Sequence, residues 1–249
     1  MCCFSREVES VTNTKIFARD STSPMQFLVY EMQFSAAEDL AMILPIPVPK
    51  LTPEKAVRFI NLEKYPDFFA ALEKGFPKPA PPRALLGGFG GAKSAAPKLE
   101  VVEVGSFEAS FVPTLADFER LDERFRLPAG TWDKLPAYKA FGFAVFKLKK
   151  DEHKTHPMAF EFPRANLQQL FFPTVHIHDG VVHPKAGFDH TLYAQFGMGH
   201  QFAAQLWTES PQPAGMFMDI AKSQGLIDKS GHAYKRVIRG ERKNEDTVA

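Results

Sequence analysis

The chain has 249 residues, 45% hydrophobic and 24% charged, with a net charge of +1. That length supports one large domain or two small ones, and the composition is that of a soluble globular protein. A near-zero charge argues against nucleic-acid or anionic-membrane partners; no apolar run reaches the ~18 residues of a membrane helix, and Met1-Cys-Cys-Phe-Ser-Arg does not resemble a secretory leader, so a cytoplasmic location is expected.

In chain order, Ser10 to Arg19 reads as a strand, Asp20-Ser-Thr-Ser-Pro24 as a turn, and Gln26 to Phe34 as the returning strand of a hairpin. Leu28, Tyr30, Met32 and Phe34 share one face of it, while Gln26, Glu31 and Gln33 favour solvent. Leu40-Ala-Met-Ile-Leu44 is a continuous apolar run of the kind buried on both faces, ended by Pro45-Ile-Pro-Val-Pro49. Thr52-Pro53 predicts a helix carrying Val57 and Ile60, and Tyr65-Pro66 a second, with Phe68, Phe69 and Leu72, closed by Gly75. The 24 phenylalanines favour a β-rich core.

Residues 77–98, rich in Pro, Gly, Ala and Lys, predict a flexible surface loop. Inside it, Gly87-Gly-Phe-Gly-Gly-Ala-Lys93-Ser94 falls one residue short of a phosphate-binding loop, because Ala92 replaces its last glycine and Pro97 blocks the helix that should follow. Leu99 to Val104 and Phe107 to Val112 predict an antiparallel pair. Thr114 caps a helix with Leu115, Phe118 and Leu121, and Thr131 caps a shorter turn. Phe141 to Leu148 and Met158 to Phe162 read as strands, Asn166 to Leu170 as a helical turn, and His200 to Thr208 and Met216 to Gln224 as helices. The expected fold class is α+β, a largely antiparallel mixed sheet with short helices. It forms one globular domain over 1–234, readable as pseudo-repeated halves 1–76 and 99–234, with a charged, disordered tail over 235–249.

Cys3, Lys15-Ile-Phe-Ala, the strand Gln26 to Phe34 and Glu38-Asp-Leu-Ala-Met-Ile-Leu-Pro-Ile-Pro-Val-Pro49 resemble a bacterial family catalogued as a domain of unknown function. Val104-Gly-Ser-Phe-Glu-Ala-Ser-Phe111 and Tyr138-Lys-Ala-Phe-Gly-Phe-Ala-Val-Phe-Lys-Leu148 fit the same pattern. The resemblance covers roughly residues 2–163, implies a shared fold and implies no activity. Relatives are exported and richer in cysteine, a pattern from which this chain departs.

The chemistry concentrates in Val175-His-Ile-His-Asp-Gly180 and beyond: His176, His178, His183, His190 and His200 are five of eight histidines. β-Branched Val175 and Ile177 alternate with His176 and His178, and Asp179-Gly180 closes the strand, so both imidazoles face one way. Two histidines on one strand with a third beyond a turn is a recurring way to hold Zn, Cu or Fe. His190 is the favoured third ligand, with Asp189 as its acceptor; His183 follows, and His200, His153, His156 and Glu161 are weaker. Cys2 and Cys3 complete a mixed sulfur–nitrogen site if the N-terminal strand lies beside the histidine strand. Two other readings stay open. In one, loss of Met1 exposes Cys2 as an N-terminal nucleophile of an amide hydrolase acting on a small molecule. In the other, the histidines are a strand's polar face and the chain is a metal-free binding or scaffold module. The basic residues Lys235, Arg236, Arg239, Arg242 and Lys243 have Glu241, Glu245 and Asp246 beside them, as in a solvated tail.

Overall fold

The computed structural model describes residues 2–21, 24–77, 102–105, 107–128, 130–149, 156–197 and 206–249. The expected loop 77–98, the near-miss phosphate loop, His153 and His200 lie wholly or almost wholly outside them. The strands in chain order are β1 (Cys2–Phe4), β2 (Ser10–Asp20), β3 (Met25–Ser35), β4 (Leu40–Ile46), β5 (Arg58–Asn61), β6 (Val102–Val104), β7 (Phe107–Val112), β8 (Gly142–Leu148), β9 (Met158–Pro163), β10 (Phe171–Phe172), β11 (His176–Ile177), β12 (Lys185–Gln195), β13 (Thr208–Pro213), β14 (His232–Lys243) and β15 (Thr247–Val248). They form a six-stranded sheet in the order β11-β1-β4-β8-β7-β6, a seven-stranded sheet β13-β14-β12-β2-β3-β9-β5, and the small pair β10-β15.

The fold is therefore mainly β, and the α+β expectation is corrected. The one α-helix of the described residues is α1 (Phe68–Lys74), which buries Phe68, Phe69, Ala71 and Leu72 and ends at Gly75 as the sequence predicts. The helix expected after Thr52 is a single turn, Glu54–Ala56, because Arg58-Phe-Ile-Asn61 pairs with β9 instead. Phe59 and Ile60 there point to opposite cores, a period-two pattern that aromatic and β-branched residues favour. The segment after Thr114 is a 3-10 helix, Met216 to Gln224 forms turns with Gln224 and Gly225 both at positive φ, and Thr208 opens a strand.

The two large sheets face each other across one core of Ile16, Leu28, Tyr30, Met42, Leu44, Phe146 and Phe160. Their outer faces are covered too. Helix α1 seals the seven-stranded sheet through Phe17, Val29, Phe69 and Tyr193, and the 3-10 segments after Val112 seal the six-stranded sheet through Ile43, Phe118 and Phe143. That is why every residue of β4 is buried and why the sequence there is a solid apolar run.

Gln26, expected at solvent, is fully buried. It receives the Phe171 N–H at 3.0 Å and donates to the Phe171 carbonyl at 2.8 Å, so one side chain stands in for a strand partner. Residues 235–249 are not a disordered tail. Most of them lie in β14, antiparallel to β12 over ten residue pairs from Lys185↔Lys243 to Ala194↔Tyr234, and β15 pairs with β10. Among the described residues no helix is long and apolar enough to cross a membrane.

Candidate functional site

Strand parity builds the site. Ile177 turns outward, into the core with Cys3 and Ile43, so His176 and His178 on either side of it turn inward, between the sheets. On the facing sheet, Leu192 and Ala194 of β12 point into the central core, and the same parity brings in His190 and Phe188. Three histidines from the two sheets thus meet where the apolar core ends.

Their geometry is close. His176 Nδ1 and His178 Nε2 are 3.2 Å apart. The His176 ring lies 4.9 Å from that of His178 and 4.7 Å from that of His190, centroid to centroid. Phe188 packs on His176 and His190 at 4.7 and 5.2 Å, and Phe4 on His178 at 5.8 Å. His190 is buried, 1% exposed, and neither of its ring nitrogens has a hydrogen-bond partner; His176 Nε2 lacks one as well. The three open onto a cavity of about 300 Å³ that Thr14, Asp179, His183 and Asp189 also line.

Burial disfavours the charged imidazolium here and lowers the pKa values to about 3 for His176, about 4 for His178 and about 2 for His190, with repulsion from neighbouring imidazoles adding to it at His176 and His190. All three are neutral near pH 7, so each ring carries one N–H and one lone pair. At the rim, His183 Nε2 meets Asp179 Oδ2 at 2.8 Å, and this contact holds the Asp179 carboxyl below its usual range.

The backbone around the cavity is irregular. β2 runs parallel to β12 with Thr14 opposite His190, and its pairing with β3 shifts register between Thr12 and Lys15. The residue at the shift, Asn13, has φ of 54°, and its side chain binds Gln33 Oε1 at 2.9 Å. Such bulges re-aim neighbouring side chains, here Thr14 toward the cavity. Asp189 is not the His190 acceptor that its position in sequence suggests. It takes the Asn13 N–H at 3.3 Å and lies 3.7 Å from Arg239.

The cysteines divide. β1 runs parallel to β11, with Cys2 opposite His176 and Cys3 opposite Ile177. The N-terminal and histidine strands are therefore neighbours. Cys3, however, is fully buried in the outer core, on the side of the sheet away from the histidines, and drops out of the expected ligand set. His156 and Glu161 sit elsewhere: His156 against Phe107 at 4.4 Å, Glu161 paired with Arg58. Among the described residues, no group of three or more His, Cys, Asp or Glu side chains is placed to hold a metal ion as the side chains stand. Sequence reasoning missed Thr14, Phe188 and Asn244, none of which carries a motif.

No family model matches the chain, and no curated protein does either. Among solved structures it is similar to baculovirus P35, at 14% identity and a TM-score of 0.47, covering 97% of this chain and 96% of that one. A mutated baculovirus P35 after caspase cleavage matches at 12% and 0.48 over 96% and 97%, and a chain of the caspase-8/P35 complex at 11% and 0.47 over 95% of each. These are likenesses of outline over nearly the whole chain, too low in identity and score to carry an activity or a partner across.

Proposed function

We propose that this chain binds a transition-metal ion, zinc, copper or iron, through His176, His178 and His190. The observation that carries the reading is the set of buried imidazole nitrogens without partners, next to the 3.2 Å His176–His178 pair. Two nitrogens about 2.0–2.1 Å from one tetrahedral ion lie about 3.3 Å apart, which that pair nearly matches. In the metal-free protein one ring donates an N–H to the other; for both nitrogens to hold an ion, that proton would move to the donor ring's other nitrogen, a change of tautomer that keeps both rings neutral. His190 would complete the set by turning one free nitrogen toward the gap. Three imidazoles leave a coordination position open to the cavity, as in sites that activate water or a small ligand. Burying three polar rings without full hydrogen bonding opposes folding, and a bound ion would offset that cost.

The test is metal content in untagged protein, before and after reconstitution. Near one equivalent is expected, lost in a His176→Ala/His178→Ala double variant. Protein that stays metal-free after reconstitution overturns the reading.

One observation favours a second reading, an N-terminal cysteine hydrolase: Cys2 is the register partner of His176. It requires Met1 to be removed, so an intact mass showing Met1 retained rules it out.

A further inference from the structure

His176 is gripped on both edges of its backbone. One edge pairs with β1. On the other, the Asn244 side chain takes the place of a strand. Its Oδ1 accepts the His176 N–H at 2.7 Å, and its Nδ2 donates to the carbonyls of His176 at 2.9 Å and His183 at 3.0 Å. One amide thereby satisfies both backbone groups of His176 and ties together the two ends of the turn between His176 and His183.

The residues that follow continue the grip. Asp246 accepts the N–H groups of Thr174 at 2.8 Å and Val175 at 3.0 Å, and the Tyr138 hydroxyl at 2.7 Å. The Thr174 hydroxyl donates to the Glu245 carbonyl at 3.0 Å, and Thr247 and Val248 pair with Phe172 and Phe171. Every backbone N–H from Thr174 to His176 is thus bound by a side chain of the last six residues.

We infer that Asn244 is a positioning residue of the histidine site, and that segment 244–248 is a strap whose seating sets how well His176 and His178 hold a metal. The inference rests on the metal reading above. Its physical ground is that a binding pair must be held within about 0.5 Å of its working geometry. β11 is only two residues long, so its own ladder is too short to do this. A carboxamide offers a donor and an acceptor side by side, matching the N–H and C=O of a strand edge. Alanine offers neither, and aspartate offers only the acceptor.

The experiment uses untagged full-length protein with Asn244→Ala, Asn244→Asp and, as control, Glu245→Ala, whose lost carboxylate pairs with exposed Lys243. Cobalt(II) absorption and zinc competition give affinity and ligand field, and ¹⁵N imidazole spectra of the metal-free proteins report the His176–His178 hydrogen bond. Asn244→Ala is expected to weaken affinity about 10- to 100-fold, shift the cobalt band and average the imidazole tautomers. Asn244→Asp falls between, and Glu245→Ala matches wild type. Unchanged affinity, band and tautomers in Asn244→Ala overturn the strap. A wild-type protein that binds no cobalt overturns the metal reading instead, and the metal-free tautomer spectra then decide the role of Asn244 independently.

Discussion

His190 provides the sharpest energetic test, because a buried ring with two unpartnered nitrogens should destabilise the protein that carries it. An unsatisfied buried polar group costs about 1–3 kcal/mol. His190→Leu removes that cost, keeps a side chain of similar volume and adds apolar contact with Phe188. In chelator, urea unfolding is therefore expected to show the variant more stable than wild type by about 1–3 kcal/mol. Zinc should invert the order. An ion bound only to the folded state stabilises by RT ln(1 + [L]/Kd), about 4.1 kcal/mol at a thousandfold excess over Kd. Wild type gains this and His190→Leu does not, so the two denaturation midpoints cross between chelator and zinc. A leucine variant less stable than wild type in chelator refutes the unpaired-nitrogen argument. Equal gains from zinc in both proteins refute the place of His190 in the ligand set.

Acid should weaken the metal-free fold earlier than carboxylate chemistry would. The three histidines have folded pKa values of about 3, 4 and 2, below the ordinary value near 6.5. Below that value the unfolded chain takes up protons that the fold refuses. Stability is thus full above about pH 6.5 and falls from there toward pH 4, by up to about 1.4 kcal/mol per pH unit per histidine; a urea series in chelator whose midpoint stays flat between pH 7 and 5 contradicts this. Gln26→Ala strands the Phe171 N–H and carbonyl and is expected to cost about 2–5 kcal/mol in the same assay, with a loss under 1 kcal/mol counting against the clamp.

The fold was legible where one segment's own pattern decided its structure. β4 is a bare apolar run because both its faces are covered, and α1 carries its aromatic residues on one side and a glycine at its end. Legibility failed where a distant partner decided. Val57 to Ile60 suits a helix face as well as a strand, and only the presence of β9 selects the strand. Gln26 reads as a solvent residue until Phe171 arrives with two backbone groups to satisfy. β14 looks like a solvated tail because its outer positions are charged. Backbone ladders are blind to side-chain polarity, however, and Tyr234 and Ile238 are enough to anchor it against the central core.

The site repeats this division at the scale of single residues. The His176–His178 pair is written in the alternation of Val175, His176, Ile177 and His178, and parity on one strand places both rings on one face. The same rule, applied to Cys2 and Cys3, forbids both from facing those rings, since adjacent residues on a strand point to opposite sides. Once β1 lies parallel to β11 with Cys2 opposite His176, Cys3 must join Ile177 in the outer core, as it does. The register itself had no local signal, because it pairs residues 174 positions apart in the chain, Cys2 with His176. Nor did Asn244, a polar residue amid charged neighbours, whose role appears only when His176 presents an edge with no strand to meet it. What holds the candidate ligands in place is thus less visible in the sequence than the ligands themselves, because an imidazole advertises its chemistry by type and a positioning amide only by where it sits.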